Sequence, residues 1–264
     1  MKSSFRFHIS TLLILLLSGH WAHSQNTSVD DMNKANNPLT PMPTLNLHDY
    51  VTPSFYDSEE SANSFLLRAA VPTKLWGFPQ LIRGTLPYNS VPDVHGDQVK
   101  AVGDFNLMDI FLMGNKELEY GIGPYFVLPT AGEDETGAGK FQLGAAATVI
   151  KPYAWGLAGA LATYQHDIAG DADRAKQNIF TAQPLLIYNL PSAFYLRSTG
   201  IWNFDWETGH YYIPVGFGAG KVWKLKGGDI LNAFIEPQWT IAHTGELLPK
   251  NQVFLGLNFQ IAGE

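Results

Sequence analysis

Polar and charged side chains recur at every second position in parts of the chain, a spacing that would gather their chemistry on one face of a strand. Asn203 and Asp205 form one such pair, and Glu236 and Gln238 form another. Successive side chains of a β-strand point to opposite faces, so residues two apart share a face. Applied to the whole chain, this rule predicts one inward-facing polar set: Arg68, Arg83, Arg197, Asn203, Asp205, Glu236 and Gln238.

Such a set would act through electrostatics. Arginines that face acidic groups across a narrow lumen bias the passage of ions and polar solutes. Alternatively, the same residues form structural pairs that fill a barrel too small to conduct. Barrels of about 8 strands are filled by side chains, whereas those of about 16–18 strands leave an aqueous channel. A pore lining and a filled interior are therefore both compatible with the sequence.

The sequence offers little for catalysis or for metal and cofactor binding. The chain has no cysteine, which excludes thiolate nucleophiles, disulfides and Cys-type zinc sites. It has no G-x-S-x-G motif, and the carboxylates of residues 131–136 lack the spacing of a calcium loop. We predict no catalytic residue, no metal and no cofactor, and hence no enzyme. A membrane-embedded hydrolase that uses His166 or His243 is the alternative.

The polar positions belong to segments with the alternation of a membrane-spanning strand. Apolar residues occupy most of the alternate positions from Leu231 to Ile241 and from Val253 to Ile261. Alternation over roughly ten residues is typical of strands that face lipid on one side and a lumen on the other. Strands of soluble sheets run only about 5–6 residues. The pattern predicts an all-β transmembrane, up-and-down antiparallel β-barrel, with a soluble periplasmic barrel or sandwich as the alternative.

Twelve strands are predicted, or ten if Thr44–Val51 and one neighbour are not strands. Most connections between them alternate in length, with long polar segments such as Thr52–Asn63 and short ones such as Pro152–Ala154. Outer-membrane barrels have short periplasmic turns and longer external loops. The predicted strands are Thr44–Val51, Ser64–Val71, Gln80–Pro87, Val102–Met113, Leu118–Leu128, Phe141–Lys151, Trp155–Asp167, Asn178–Leu190, Ala193–Asp205, His210–Trp223, Ile230–Ala242 and Gln252–Ile261.

The beginning of the chain has the pattern of an export signal. Lys2 and Arg6 precede the apolar stretch Ile9–Leu17, and Ala22-His23-Ser24 provides a small-residue cleavage site. The polar segment that follows is predicted to be flexible or short-helical, and the sequence does not decide whether it enters the lumen as a plug. The predicted parts are a cleaved signal peptide over residues 1–24, a flexible periplasmic lead-in over 25–43 and the barrel over 44–264.

The composition fits an exported barrel and argues against nucleic acid as a partner. Charged residues make up 16% of the chain and aromatic residues 13%, whereas about 25% of an ordinary soluble protein is charged. The formal net charge of −7 leaves no basic face for phosphates. We expect a monomer in the outer membrane of a Gram-negative bacterium, with outer-membrane lipid and a small-molecule solute as its partners.

Several stretches of the chain resemble one bacterial family. They are Asn36-Asn37-Pro38, Gly121-Ile122-Gly123-Pro124, Leu128-Pro129-Thr130, Gly137-Ala138-Gly139-Lys140, Gln183-Pro184, Tyr188-Asn189-Leu190-Pro191, Trp206-Glu207 and Ile213-Pro214-Val215-Gly216. The chain is similar here to the outer-membrane transporter family of phenol-degradation meta-pathway proteins, some of which carry the misleading name neuromedin U. The resemblance implies a barrel for uptake or efflux of small, often hydrophobic or aromatic molecules, and it assigns no functional residue.

From the resemblance we expect a β-barrel channel or transporter through which small molecules pass passively. The alternative is a non-conducting structural or interaction barrel that acts through its external loops.

Overall fold

A computed structural model describes residues 27–263, and the predicted signal peptide lies outside them. One short helix precedes an antiparallel sheet. Within residues 27–263, no helix is long and apolar enough to cross a membrane. The elements are α1 (Val29–Asn36), β1 (Thr44–Phe55), β2 (Ala62–Leu75), β3 (Phe78–Pro92), β4 (Gln98–Val102), β5 (Phe105–Asn115), β6 (Leu118–Leu128), β7 (Lys140–Tyr153), β8 (Gly156–Gly170), β9 (Asn178–Asn189), β10 (Phe194–Ser198), β11 (Trp202–Asp205), β12 (Tyr211–Gly216), β13 (Gly218–Lys224), β14 (Ile230–Thr244) and β15 (Pro249–Gln260).

The fifteen strands form a closed wall of twelve, because three positions in the wall are each built from two consecutive strands. These pairs are β4 with β5, β10 with β11, and β12 with β13, and the members of each pair share a neighbouring strand. The last strand closes on the first, with a register that runs from Thr44↔Gln260 to Val51↔Val253. Closure leaves no unpaired sheet edge. The predicted twelve-strand antiparallel barrel is confirmed, and the ten-strand alternative is wrong.

The connections are shorter at one end of the barrel than at the other. We call the end that carries Thr44 and Gln260 the near end, and the opposite one the far end. Turns of two residues, such as Trp76-Gly77, join strands at the near end. At the far end the strands run beyond their predicted limits, so the first connection spans only 56–61 instead of Thr52–Asn63. The ladder continues there because backbone pairing does not require apolar side chains.

Asp104 marks the break between β4 and β5 and fixes the longest far-end connection, residues 129–139. Its carboxylate accepts hydrogen bonds from the backbone N–H groups of Thr130 and Ala131, both at 3.1 Å, and of Ala138 at 2.7 Å. The register against β3 shifts by one residue across this break, which is the signature of a β-bulge. The bulge thus turns the side chain of Asp104 toward the loop 129–139, which this side chain holds in place.

The outer face of the wall is a belt of exposed apolar side chains. Large apolar residues that are at least one third exposed occur on eleven of the twelve wall strands. Trp239 and Ile241, which alternate along β14, are 54% and 68% exposed. Monomeric soluble proteins rarely expose apolar patches larger than a few hundred Å². A belt that surrounds a closed barrel is typical of a wall in contact with lipid.

One polar pair interrupts the apolar outer face. The sequence places Asp109 on the same parity as Leu107 and Phe111, and the pairing Ile82↔Asp109 puts it on the outer face. With its amide nitrogen turned toward the carboxylate, the fully buried Gln80 donates to both oxygens of Asp109, at 3.1 and 3.2 Å. The pair therefore satisfies a carboxylate whose burial in apolar surroundings would otherwise be costly.

Candidate functional site

Helix α1 lies inside the near end of the barrel. Its first turn is closed by a capping box, in which Ser28 Oγ accepts from the Asp31 N–H at 3.1 Å and the Asp31 carboxylate accepts from the Ser28 N–H at 3.0 Å. Met32, Ala35 and Leu39 are only 3–4% exposed. They pack in one cluster with apolar residues of the wall: Met108, Ile110, Ile150, Leu157, Ile187, Val222 and Ile230.

Polar contacts fix the segment 28–40, which we call the plug, to six wall strands. Their donor–acceptor distances lie between 2.9 and 3.1 Å. Because these strands are distributed around the ring, the plug crosses the near mouth of the lumen. The contacts join Asn33 to Tyr153 and Asn189, Asn37 to Glu119, the Ala35 carbonyl to Asn232, the Lys34 carbonyl to Gln260, and Asp31 to Lys224.

Of the two predictions for this segment, flexible or short-helical, the structure has the short helix. The segment forms a helix, and its apolar side packs against an apolar ring at the near end. A purely polar strand would leave that ring uncovered, whereas burial of Met32 and Leu39 removes apolar surface from water on both sides of the contact. Hydrophobic packing and the surrounding hydrogen bonds therefore hold the plug in the near mouth of the barrel.

The ion pair of the plug makes its docking sensitive to pH. Burial raises the pKa of Asp31, but hydrogen bonds from Ser28 and the nearby Lys224 ammonium lower it by more, so the net pKa lies below the ordinary 3.8. A carboxylate with a depressed pKa stabilises the docked form above its ordinary pKa and loses that effect as the pH falls through the lowered value. We expect full docking at neutral pH and weaker docking below about pH 4.

Hydrogen exchange measured by mass spectrometry on the peptide 27–43, corrected for intrinsic pH effects, checks this expectation. Asp31→Asn should reduce protection at pH 7 by roughly 1–2 kcal/mol and flatten its pH dependence. The matched control is Asp30→Asn, since Asp30 lies in the same helical turn but is exposed. Equal pH profiles for the Asp31 variant and the parent would contradict the assignment.

Beyond the plug, a cavity of about 120 Å³ occupies the lumen. Three of the predicted inward residues, Arg68, Arg83 and Arg197, line it. A row of paired positions carries polar side chains across neighbouring strands, because residues paired directly in an antiparallel sheet share a face. The row runs Asn232, Asn258, Asn46, Arg68 and Thr85.

The surroundings of Arg68 fix the protonation of a neighbouring histidine. Arg68 Nη1 lies 3.1 Å from His48 Nδ1, and a guanidinium can only donate. His48 Nδ1 is therefore the acceptor, which leaves the proton on Nε2, 2.7 Å from the Oδ1 of Asn258. His48 is a neutral link between the arginine and the asparagine row.

Arg197 is paired with the carboxylate of Glu236. Glu236 is fully buried, and its Oε2 accepts from Arg197 Nε and from Thr199 Oγ1, each at 2.7 Å. Its Oε1 accepts from the Thr199 backbone N–H at 2.7 Å and from Gln238 at 3.1 Å. The guanidinium also stacks on Phe234, 3.4 Å from the ring centroid. Arg197, Glu236 and Gln238 thus form a filled, paired cluster within the barrel.

This cluster explains two irregularities of the wall. The gap between β10 and β11 occurs where the Thr199 N–H bonds the Glu236 side chain. Facing it, a Cβ added to Gly216 would lie 2.0 Å from Glu236 Oε1, and one added to Gly218 would lie 2.6 Å from Glu236 Cβ. The glycines that the sequence shows at alternate positions of this strand therefore make room for a carboxylate.

The last two predicted residues, Asn203 and Asp205, lie toward the far end, and like Glu236 and Gln238 they are not part of the cavity lining. Asn203 pairs with Thr181 and Tyr212 close to the far end. Asp205 ends its strand, and its carboxylate accepts from the Glu207 N–H at 2.9 Å and from Thr208 Oγ1 at 2.7 Å. The side chain of Asp205 is therefore engaged in the following turn rather than in the polar row.

Sequence reasoning missed several residues of the cavity. Asn46 and His48 alternate with Leu45 and Leu47, so parity alone could have found them. Parity also places Phe234 on the face of Glu236 and Gln238. An apolar side chain at such a position gave no sign of a cavity lining, and the room for its ring comes from the paired Gly256. A Cβ at Gly256 would lie 2.1 Å from the Phe234 ring.

The histidines considered for catalysis lie at the far end. His243 stacks on Tyr56 with ring centroids 3.5 Å apart, and His166 Nδ1 lies 3.2 Å from the Asp167 carbonyl. Within residues 27–263, neither histidine has a side-chain hydrogen bond to a serine, and no group of three or more His, Asp or Glu side chains could hold a metal ion.

Comparison with known proteins supports the fold. No family model matches the chain, and no curated protein matches it. Among solved structures, it is similar to the COG4313 outer membrane channel from Pseudomonas putida F1, with 16% identity and a TM-score of 0.60 over 85% of this chain and 97% of that one. The beta domain of the Bordetella autotransporter BrkA matches with 12% identity and a TM-score of 0.43, over 84% and 99% of the two chains.

The fold and the site together define the chain as a closed twelve-strand β-barrel with a helical plug at one end and an arginine-lined cavity behind it. At 16% identity, the first of these likenesses shows the barrel fold alone. The resemblance to the phenol-degradation meta-pathway family stays a prediction.

Proposed function

We propose that this protein is an outer-membrane barrel that lets small molecules pass down their gradient through its lumen, and that the plug gates the near end. The observation that carries the proposal is the cavity lined by three arginines inside a wall with an apolar outer belt. The likeness to an outer membrane channel is consistent with it. The described chain contains no nucleotide-binding motif, so a concentration gradient is the proposed driving force.

The proposal orients the barrel in its membrane. Both described ends of the wall, Thr44 and Gln260, lie at the near end, and short turns between strands are typical of the periplasmic side. We therefore assign the near end and the plug to the periplasm, and the loop held by Asp104 to the outside. The solute would enter past the far-end connections and leave when the plug undocks.

A non-conducting barrel is the second candidate, and the plug favours it. The near mouth is closed by packing of Met32, Ala35 and Leu39, and Glu236 and Gln238 fill part of the lumen. A barrel permanently in this state would serve as a scaffold or act through its loops. The two candidates differ in whether the plug leaves the mouth.

Planar-bilayer conductance of the refolded chain tests the proposal, with heat-modifiable gel migration as the check of folding. We expect discrete current steps with a preference for anions, because the cavity is lined by arginines and by no Asp or Glu. Arg83→Gln should shift the reversal potential toward cations, whereas Lys116→Gln, at an exposed near-end turn outside the cavity lining, should leave it in place. A folded barrel that never conducts, with or without its plug, would favour the scaffold.

Arg197 is unsuited to this test. Its guanidinium is paired with Glu236 at 2.7 Å, so Arg197→Glu would place two carboxylates in contact inside the wall. Like charges at that distance disfavour folding, and a change in current would report that instead of selectivity.

A further inference from the structure

Two of the three cavity arginines have no carboxylate partner. The ion pairs among residues 27–263 include Arg197 with Glu236, but neither Arg68 nor Arg83 with any acid. Within the same part of the chain, Arg83 makes no side-chain hydrogen bond, and Arg68 makes only that to the neutral His48. Buried charges are normally paired. The cavity therefore carries uncompensated positive charge.

The two arginines are neighbours that face the same space. Arg68 pairs with Thr85, and Arg83 is two residues from Thr85 on the same strand. Such diagonal neighbours lie about 7–8 Å apart, within reach of long side chains. Two guanidinium groups carried by such neighbouring positions repel each other, and one anion between them would remove the repulsion and accept hydrogen bonds from both.

Unsatisfied polar atoms point to a polar occupant as well. Four buried side-chain atoms without a hydrogen-bond partner belong to residues that line this cavity: Thr40 Oγ1, Arg68 Nε, Arg83 Nε and Gln260 Oε1. In native proteins the large majority of buried polar side-chain atoms have a partner. Three of these four atoms belong to donor groups, which suits a ligand with several acceptor oxygens.

The rest of the lining is mixed, with amide and hydroxyl side chains beside an apolar part that defines the rest of the ligand. Leu81, Leu185, Ile187, Phe234 and Phe254 line the same cavity. The size is restrictive, since about 120 Å³ compares with the roughly 150 Å³ of an apolar protein cavity that holds benzene. An ion without an apolar part would leave this surface uncovered, and a neutral apolar molecule would leave the arginines unpaired.

We propose that Arg68 and Arg83 form a binding site for small organic monocarboxylates with a compact apolar body, no larger than a single ring. The carboxylate lies between the two guanidinium groups, and the apolar body lies against Phe234 and Phe254. This inference deepens the proposed function, because it names the class of solute that the lumen selects, and it is tested separately from transport.

Calorimetric titration of the folded, detergent-solubilised chain with benzoate tests the site. Benzamide, which has nearly the same shape without the charge, and inorganic phosphate, which has charge without an apolar body, are the two comparison ligands. We expect benzoate to bind at least about tenfold more tightly than either, since a hydrogen bond to a charged group contributes roughly 1.5–3 kcal/mol. Equal binding of benzamide, or equal binding of phosphate, would overturn the proposed ligand class.

Substitutions test whether benzoate binds at the arginines. Arg83→Met should weaken benzoate binding about ten- to a hundredfold, and Arg83→Lys, which keeps the charge, should restore part of it. Replacement of Arg83 breaks no side-chain hydrogen bond, so the variant is expected to fold. Lys116→Met is the control, because Lys116 is exposed in a near-end turn and lies outside the cavity lining. Benzoate binding that is unchanged in Arg83→Met would overturn the site.

The conductance test and the binding test can fail independently of each other. Benzoate binding without any current, even after removal of the plug, would contradict the channel and keep the site. Current without benzoate binding would keep the channel and contradict the site.

Discussion

Removal of the plug should convert the barrel from a closed or rarely open state into a persistently conducting one. Deletion of residues 27–40 removes Met32, Ala35 and Leu39 from the near mouth, where they are 3–4% exposed. The apolar ring around them would then border water and no longer obstruct the passage. In planar bilayers we expect larger steps that stay open, and in proteoliposomes faster swelling with small solutes.

A point substitution makes the same test without shortening the chain. Ala35→Asp puts a carboxylate into the apolar contact, where an unpaired charge costs several kcal/mol. A loss of about 3 kcal/mol in docking shifts the ratio of docked to undocked plug by roughly a hundredfold. Val29→Asp is the matched control, because Val29 lies on the same helix and is 44% exposed. The control should conduct as the parent does.

The outcome separates the two candidate functions. A large increase in current for Ala35→Asp and for the deletion, but not for Val29→Asp, would show that the plug is a gate. Persistent silence of all three folded variants would mean that the Glu236 region blocks the lumen by itself. In that case the barrel is a scaffold, and its loops become the place to look for function.

The sequence predicts the strands of the barrel wall better than the plug and the side-chain contacts inside the lumen. Alternation predicts the segments of the wall, because lipid and lumen impose opposite requirements on successive side chains, but it leaves ten strands open beside twelve. The limits were too narrow, as in β1, which runs to Phe55 instead of Val51. Beyond the apolar belt, pairing continues through polar residues, and alternation carries no signal there.

The plug was within reach of sequence reasoning. Ser28 and Asp31 have the spacing of a capping box, and Met32, Ala35 and Leu39 follow the i, i+3, i+7 spacing of an apolar helical face. What the sequence could not show is the surface that this face covers. The apolar ring is assembled from residues far apart in the chain, such as Ile150 and Ile230, and only the closed barrel brings them together.

The alternation of side chains along a strand predicts which positions face inward, but it does not distinguish the roles of the charged residues found there. Arg83 and Arg197 satisfy the same rule, yet Arg197 is neutralised by Glu236 at 2.7 Å and Arg83 is not neutralised. That difference arises from the registers of β10, β13 and β14, which place Arg197 opposite Gly218 and close to Glu236. Register across three strands is set by the complete barrel, so a single segment cannot reveal it.

Loss of the Glu236 carboxylate should have the largest effect on stability of any single substitution in the lumen. Glu236→Leu leaves the Arg197 guanidinium, 8% exposed, and the Thr199 N–H and hydroxyl without their acceptor. Removing one partner of a buried ion pair costs about 3–5 kcal/mol, because an uncompensated charge remains. Urea titration of the folded barrel, followed by heat-modifiable migration and tryptophan fluorescence, should show a decrease of that size in the free energy of unfolding.

Two further variants identify the cause. Arg197→Met combined with Glu236→Leu removes both charges and should recover most of the lost stability, since buried ion pairs are often replaceable by apolar residues. Glu207→Leu, at an exposed turn, should change stability by no more than about 0.5 kcal/mol. If the double variant were as unstable as Glu236→Leu, the cost would come from the lost Thr199 contacts and the altered packing, not from the unpaired charge. Stability of Glu236→Leu within about 1 kcal/mol of the parent, well below the cost of an unpaired buried charge, would mean that the Arg197 charge finds another partner in the lumen.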